Sequence, residues 1–463
     1  VSSPHQPHPP MWAAQAWLQD GWQADVLLRP GADGRWAEVR AGVPCPPDAH
    51  RLAGPVLPGL VDAHSHAFQR AMAGLAERRD SGEDDFWSWR DRMYRVALRI
   101  SPGQLRAVAA QLYVELLRGG YTQVCEFHYL QHTPDGRPYD DPLALSWALA
   151  DAAAQAGIGL TVMPVLYERA GFTQPGLRED QRRFRSSAQD VWQAAQALAA
   201  SGRPLLNAGV AVHSLRAAAP ESIATLERLA ESFDGPIHVH VAEQLREVAD
   251  CQAATGLRPI EWLAHHARLD ARWQLVHATH STREEIEAVA ASGAGVVLCP
   301  STEANLGDGL ADLPGWLAAG VPLAIGSDSQ VTRAWPEELR WLDYGQRLAL
   351  RQRNVSAAPE RCQPGTAARL FKLAQQAGAR AAGFARWGLV PGARADALVV
   401  DLSSPNLLGV PASHVLDALV FSSPGRPWRD VMVGGRWVVA DHRHDGAAAV
   451  AREFVPAMEL LGR

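Results

Sequence analysis

The chain has 463 residues, 47% of them hydrophobic, and a formal net charge of -6. A chain of that length can bury a large core and defaults to more than one domain. Mild acidity without a basic block argues against a nucleic-acid surface, and no apolar run is long enough to span a bilayer.

Residues 1–10 are rich in His and Pro and lack the basic region and apolar core of a secretory signal, so a loose tail is expected there. A short β-like piece follows at 24–28. The apolar run 55–61, bounded by Pro and Gly, reads as a buried strand that ends in Asp62-Ala63-His64-Ser65-His66. Glycines 119 and 120 stop a helical stretch, and apolar strands are expected at 121–127, 159–166, 206–212, 236–241, 273–278, 295–299 and 322–326. Stretches with helical spacing lie between them, at 143–156, 188–200 and 283–291 among others. This alternation predicts an α/β fold, a (β/α)8 TIM barrel. Further β-like pieces at 397–400 and 431–439 are expected to join the N-terminal piece in a small β domain. The division expected is 1–54 and 376–463 for that domain and 55–375 for the barrel.

In such a barrel the reacting groups lie at the C-terminal ends of the strands. Those ends carry His64 and His66, then Glu126, His128 and Tyr129, then Tyr167, then His213 and Arg216. His238, His240 and Glu243 come next, followed by His277 and His280, Ser301 and Asp328. A single histidine at a strand end can be a hydrogen-bonded core residue; imidazoles ending five strands point instead to a metal. Residues i and i+2 of a strand face one side, so His64 and His66 can reach one cation. One histidine of the 236–241 strand and Asp328 would complete the set. His240 is nearer the strand end than His238, and Glu243 falls where it could shuttle a proton.

The cysteines 45, 125, 251, 299 and 362 are scattered with no Cys-x-x-Cys pair, which fits a reducing cytoplasm; Cys125 and Cys299 read as core residues. Lys372 is the only lysine. Arginine forms neither Schiff bases nor the carbamate that can bridge two metals, so any chemistry needing a lysine rests on Lys372.

The segments Pro58 to His66, His238-Val239-His240-Val241-Ala242-Glu243, Leu275-Val276-His277 and Gly326-Ser327-Asp328 resemble the amidohydrolase superfamily. The stretches 388–396 and 433–436 resemble its C-terminal β-domain signature, so the likeness spans about residues 24–440. A narrower likeness, to the formimidoylglutamate deiminases, rests on His64-Ser65-His66-Ala67-Phe68-Gln69-Arg70, on Glu126-Phe127-His128-Tyr129 and on His213-Ser214-Leu215-Arg216. The resemblance implies metal ligands His64, His66, His240 and Asp328, with Glu243, His277 and Asp328 catalytic. Gln69, Arg90, Tyr129, His213 and Arg216 match substrate-binding positions.

The activity implied is metal-dependent hydrolysis of N-formimino-L-glutamate to N-formyl-L-glutamate and ammonia, in histidine degradation, by a cytoplasmic homodimer. Asp328 would take a proton from water, Glu243 would deliver one to nitrogen and His277 would orient the reacting centre. One divalent ion per chain, zinc, is implied, since no lysine is placed to bridge a second. Arginine forks suit a substrate with two carboxylates, and Trp87 and Trp89 could either shield the site or brace a loop. The alternatives are a guanine-, adenosine- or S-adenosylhomocysteine-type deaminase of the same superfamily, for which stacking aromatics would be expected, and a non-catalytic binding barrel, which would be expected to lack a ligand or Glu243.

Overall fold

The computed structural model describes residues 9–19, 21–79, 86–422 and 425–462. Most of the expected tail lies outside them; Pro10, within them, already accepts a hydrogen bond from the His50 amide. Eight parallel strands form the barrel, in the order Leu60–Ser65, Tyr121–His128, Gly159–Leu166, Val210–Val212, Ile237–Val241, Trp273–His277, Gly295–Leu298 and Leu323–Ile325, with Leu206–Ala208 as an extra pairing on the third. The α/β barrel expected from the alternation is therefore present. Its seam closes through the backbone of Asp328, whose amide donates to His64 O while its carbonyl accepts from the His66 amide.

Three expected strands are broken: 206–212 divides into Leu206–Ala208 and Val210–Val212, and the other two part for identifiable reasons. The apolar run 55–61 serves two sheets: Val56–Leu57 pairs with strands of the terminal sheet, and only from Leu60 does the chain enter the barrel. The piece 431–439 is a hairpin, Trp428–Val433 with Arg436–Val439, whose two-residue turn needs positive φ at Gly434 (56°) and Gly435 (77°). Both ends of the chain contribute to this second, eight-stranded sheet, in which Met11–Leu18, Gly21–Pro30 and Trp36–Arg40 continue from Val56–Leu57, Ala397–Val400 and the hairpin. Among the described residues no helix is long and apolar enough to cross a membrane.

The end of the barrel away from the expected site is sealed by helix Thr366–Ala381. Carbonyls at the end of a helix lack intrahelical donors, and side chains from the barrel strands supply them. Ala381 O accepts from His238 Nε2 (2.8 Å) and Cys125 Sγ (3.6 Å); Ala382 O accepts from Asn207 Nδ2 (2.7 Å). His238 is thus a helix-capping residue, deeper than His240, and Cys125 is a buried core thiol.

The Pro391 to Asp396 motif joins the two sheets. Arg394 donates to Gln123 Oε1 (2.6 Å) and Thr122 O (2.9 Å) at the start of the second barrel strand, and pairs with Asp396 at 2.6 Å. Asp396 in turn accepts the Gly434 amide of the hairpin (2.9 Å). Both side chains are nearly buried, at 10% and 4% exposure, so losing one partner strands the other charge. Arg394→Met is expected to cost about 3 kcal/mol of stability, read as a lower urea midpoint; an unchanged midpoint would show that the clamp contributes nothing.

Candidate metal centre and pocket

Four side chains converge at the closed seam. His64 and His66 come from the end of the first strand, His240 from the fifth and Asp328 from the loop after the last. His240 Nε2 lies 3.0 Å from His64 Nε2, and Asp328 Oδ1 lies 3.6 Å from His64 Nε2 and 3.5 Å from His66 Nε2. His277 joins from the sixth strand, with Nε2 3.8 Å from Asp328 Oδ2. Donors about 2.0–2.1 Å from an ion at tetrahedral angles stand roughly 3.4 Å apart, so these spacings suit a single cation.

The outer nitrogens fix which lone pairs face inward. Phe127 O accepts from His66 Nδ1 (3.0 Å) and His213 O from His240 Nδ1 (2.9 Å). A carbonyl can only accept, so both rings carry their proton on Nδ1 and turn a bare Nε2 to the centre. Burial lowers the pKa of His64 to about 3 and that of His240 well below the ordinary value, keeping both neutral, the form that ligates. Burial opposes ionisation of Asp328, but the surrounding histidines, His64 foremost, outweigh it and hold the carboxyl below its usual range. The donor set fits a divalent ion on chemistry and spacing alike.

Behind the cage a hydrogen-bonded layer fixes the backbone that carries it. Asp62 accepts both the amide (2.8 Å) and the hydroxyl of Ser327. Gln330 Nε2 donates to Asp328 O (2.8 Å) and Ser65 Oγ (3.0 Å), and the Ser65 hydroxyl donates to Glu126 Oε1 at 2.7 Å. The other Glu126 oxygen accepts the Ala67 amide (2.9 Å), so this carboxylate is occupied in bracing the His66 turn. The bracing matters because the strand ends are strained: Ala242, His277, Ala278, Asp328 and Gln330 all have φ between 47° and 70°. Gly326 has a different duty, since a Cβ there would lie 2.7 Å from the Cβ of His64.

A pocket opens over the cage. Its wall includes His66, His240, His277, Asp328 and Glu243, together with Gln69, Arg90, Tyr129, His213 and Arg216; His64 lies buried beneath. The ligand, catalytic and substrate-binding positions implied by the resemblance are therefore brought together. His128, His280 and Ser301 do not line it; Ser301 donates to Glu338 instead.

Burial lifts the pKa of Glu243 to about 7, against the nearby His277, whose Nε2 is 3.6 Å away. Burial disfavours protonated His277, but Glu243, Glu303 and Asp328 together raise it to about 10. Glu303 is an addition to the expected set: its Oε1 accepts the Cys299 amide (2.8 Å) and lies 3.3 Å from His277 Nδ1. Its signal lies in Cys299-Pro300-Ser301-Thr302-Glu303, where the first turn of helix Pro300–Leu306 returns a carboxylate to the strand end. Tyr94 and Phe184 also line the pocket, from segments without strand-end markers.

The two pocket arginines are underused. Arg216 makes no ion pair or hydrogen bond among the described residues; Arg90 lies over the rings of Trp87 and Tyr94 and has a 3.7 Å contact with the exposed Asp91, while its Nε is buried without a hydrogen-bond partner. Glu247, an acid that shares the wall, spends its oxygens on the amides of Ala242 and Glu243, 3.1 Å each.

Comparison with known proteins agrees with this geometry. Residues 56–438 match the Amidohydrolase family. Formimidoylglutamate deiminase of Pseudomonas aeruginosa is 48% identical over 462 residues, covering 97% of this chain and 99% of that protein. A 5-methylthioadenosine/S-adenosylhomocysteine deaminase of Natronomonas pharaonis is 29% identical, over 88% of this chain and 87% of its own length. The crystal structure of an amidohydrolase from Brucella melitensis has 42% identity and a TM-score of 0.93, covering 98% of this chain and all of that one.

His240→Ala removes one inward-facing donor. Since loss of a mere outer partner weakens metal binding about 10–100-fold, the variant is expected to lose at least about 100-fold in affinity, measured by chelator competition. Unchanged affinity would show that His240 is not a ligand.

Proposed function

This chain belongs to the amidohydrolase family, and we propose that it hydrolyses N-formimino-L-glutamate to N-formyl-L-glutamate and ammonia. The observation that carries the reading is the pair of arginines on the pocket wall, Arg90 and Arg216, with no adequate anionic partner among the described residues. Guanidiniums seldom stay without anions in a partly dry site, and two of them match a substrate with two carboxylates. The 48% identity to a formimidoylglutamate deiminase over nearly the full length of both chains supports the same substrate.

The wall also carries aromatic rings, which a purine deaminase would use for stacking. Here Tyr94 and Tyr167 both pack on Phe184, ring centroids 5.4 Å apart, and Gln181 donates to Tyr167 OH (2.9 Å). Rings so engaged form a wall rather than an open slot, which favours the anionic substrate.

His64, His66, His240 and Asp328 would hold one divalent ion, zinc by the nitrogen-rich donor set, which when bound supplies Lewis acidity and a more acidic water. Asp328 takes a proton from the attacking water. Glu243, with a pKa near neutrality and placed against His277, delivers a proton to the imino nitrogen as water oxygen bonds to the formimino carbon. His277, held by Glu303 on its far side, turns Nε2 to the developing tetrahedral carbon and steadies its charge. The proton held by Asp328 then passes to the same nitrogen, and as the C–N bond breaks Glu243 takes back the hydroxyl proton, releasing ammonia, leaving the formyl group and restoring both carboxyl groups. Arg90 and Arg216 fix the two carboxylates, with Gln69, Tyr129 and His213 between them and the reacting carbon. Ammonia release from N-formimino-L-glutamate, beside guanine- and adenosine-type substrates, tests the activity; turnover of a purine alone would overturn it.

Two further outcomes are expected. Metal analysis of active protein should approach one ion per chain, and a second ion needed for rate would overturn the mononuclear centre. Arg216→Met should lower kcat/KM at least about tenfold, since hydrogen bonds to charged groups contribute about 1.5–3 kcal/mol, with metal content unchanged. Arg216→Lys should recover part of the loss. A substrate lacking the bound carboxylate should not distinguish wild type from Arg216→Met; equal impairment on every substrate would make Arg216 structural.

A further inference from the structure

Helix Phe86–Ala97 places one indole among three guanidiniums. The Cζ atoms of Arg90, Arg246 and Arg216 lie 4.6, 4.9 and 5.4 Å from the ring centroid of Trp87. Each comes from a different element: Arg90 from the same helix, Arg216 from the loop after the fourth barrel strand, and Arg246 from helix Leu245–Thr255. No carboxylate among the described residues pairs with Arg216 within 4.0 Å, although the buried Glu247 and Glu243 act on it through space. Arg246 is 3.9 Å from Asp250, both largely exposed, and Arg90 is 3.7 Å from an exposed Asp91.

Three like charges drawn to one point repel each other unless something between them is attractive. The negative face of an indole is such a group, and it attracts arginine more strongly where water is scarce. Stacking engages the face of a guanidinium and leaves its in-plane N–H donors for a carboxylate fork. The ring thereby does two things at once: it gathers the cations and leaves their donors available.

We propose that Trp87 is a positioning residue for anionic substrate, collecting Arg90, Arg216 and Arg246 into one cationic patch at the pocket and so setting its preference for a dicarboxylate. Arg246 is the third member of that patch, beyond the two arginines on the pocket wall. The assignment of a particular dicarboxylate rests on the function proposed above; the gathering of the three cations does not.

The decisive comparison is Trp87→Leu against Trp87→Phe, two apolar side chains of which only one has an aromatic face. Trp87→Leu is expected to raise KM for N-formimino-L-glutamate at least about tenfold, with kcat within about threefold of wild type and metal content unchanged. Trp87→Phe is expected to stay within about threefold of wild type in both constants. The affinity for glutarate, measured by calorimetry on the metal-loaded protein, should fall in parallel with the rise in KM. If Leu and Phe behave alike, or if Leu loses kcat and metal together with KM, Trp87 is a packing residue and the proposal is overturned. Should Trp87→Leu not fold, Arg246→Gln reads the same patch: glutarate affinity should fall about threefold or more with a shallower salt dependence, and no change in either would refute it. The two readings fail separately. A wild-type protein that binds glutarate but releases no ammonia from N-formimino-L-glutamate sinks the activity alone; one that turns it over with Leu and wild type indistinguishable sinks the role of Trp87 alone.

Discussion

A pair of backbone hydrogen bonds between residues 64–66 and Asp328 closes the barrel, and the same contact assembles the candidate metal cage. The Asp328 amide reaches His64 O and the His66 amide reaches Asp328 O, so first and last strands meet at the level where their ligands project. Ligand geometry is consequently tied to barrel closure: the carboxylate and the two imidazoles cannot separate without opening the seam. Gly326 permits the approach, because any Cβ would collide with His64. The strain of φ at Asp328 and Gln330 is held by buried hydrogen bonds from Gln330 and to Asp62 and Glu126. Rigidity here has a chemical purpose, since a cage of spaced donors binds an ion only if it does not relax around its own hydrogen bonds.

Above this rigid floor the pocket divides its work by element. Strand ends supply the groups proposed to bind metal or move protons, and His66, His240 and His277 are braced by a carbonyl or carboxylate on the neighbouring strand or just beyond it: Phe127 O, His213 O and Glu303 respectively. The cations come from elsewhere: from the helix after the first strand, the loop beyond the fourth and the helix beyond the fifth. Such a separation lets the chemistry of C–N hydrolysis stay constant while the cationic wall selects what is hydrolysed. The opposite end of the barrel serves stability instead. There helix Thr366–Ala381 ends against the strands, and His238, Cys125 and Asn207 satisfy its terminal carbonyls.

Much of this is legible in the chain because its signals are local. Strand length, apolar runs and their polar ends are properties of a few consecutive residues, and so the α/β barrel and the convergence of His64, His66, His240 and Asp328 can be read from their positions at strand ends. His238 and His240 can be ranked by depth for the same reason. Where sequence and structure part, the cause is a contact outside the segment. Nothing within 55–61 says that Val56–Leu57 pairs with another sheet while Leu60 begins the barrel. His128 ends a strand as His66 follows one, yet it does not reach the pocket. Ser301 stands nearer its strand than Glu303 and looks the better candidate in the chain, but Glu338 holds its hydroxyl, and it is Glu303 that reaches His277.

The periodicity that makes strands and helices alternate, the chemical types available at each strand end and the near absence of lysine depend only on the order and identity of residues, and so they stand before the chain folds. Tertiary structure alone decided which nitrogen of each imidazole faces the centre, which carboxylates are consumed by amides and which arginines are left without an anion. Those outcomes depend on distances between residues far apart in the chain. A hydrogen bond such as that from the Ser327 amide to Asp62 exists only once the last strand has come round to meet the first.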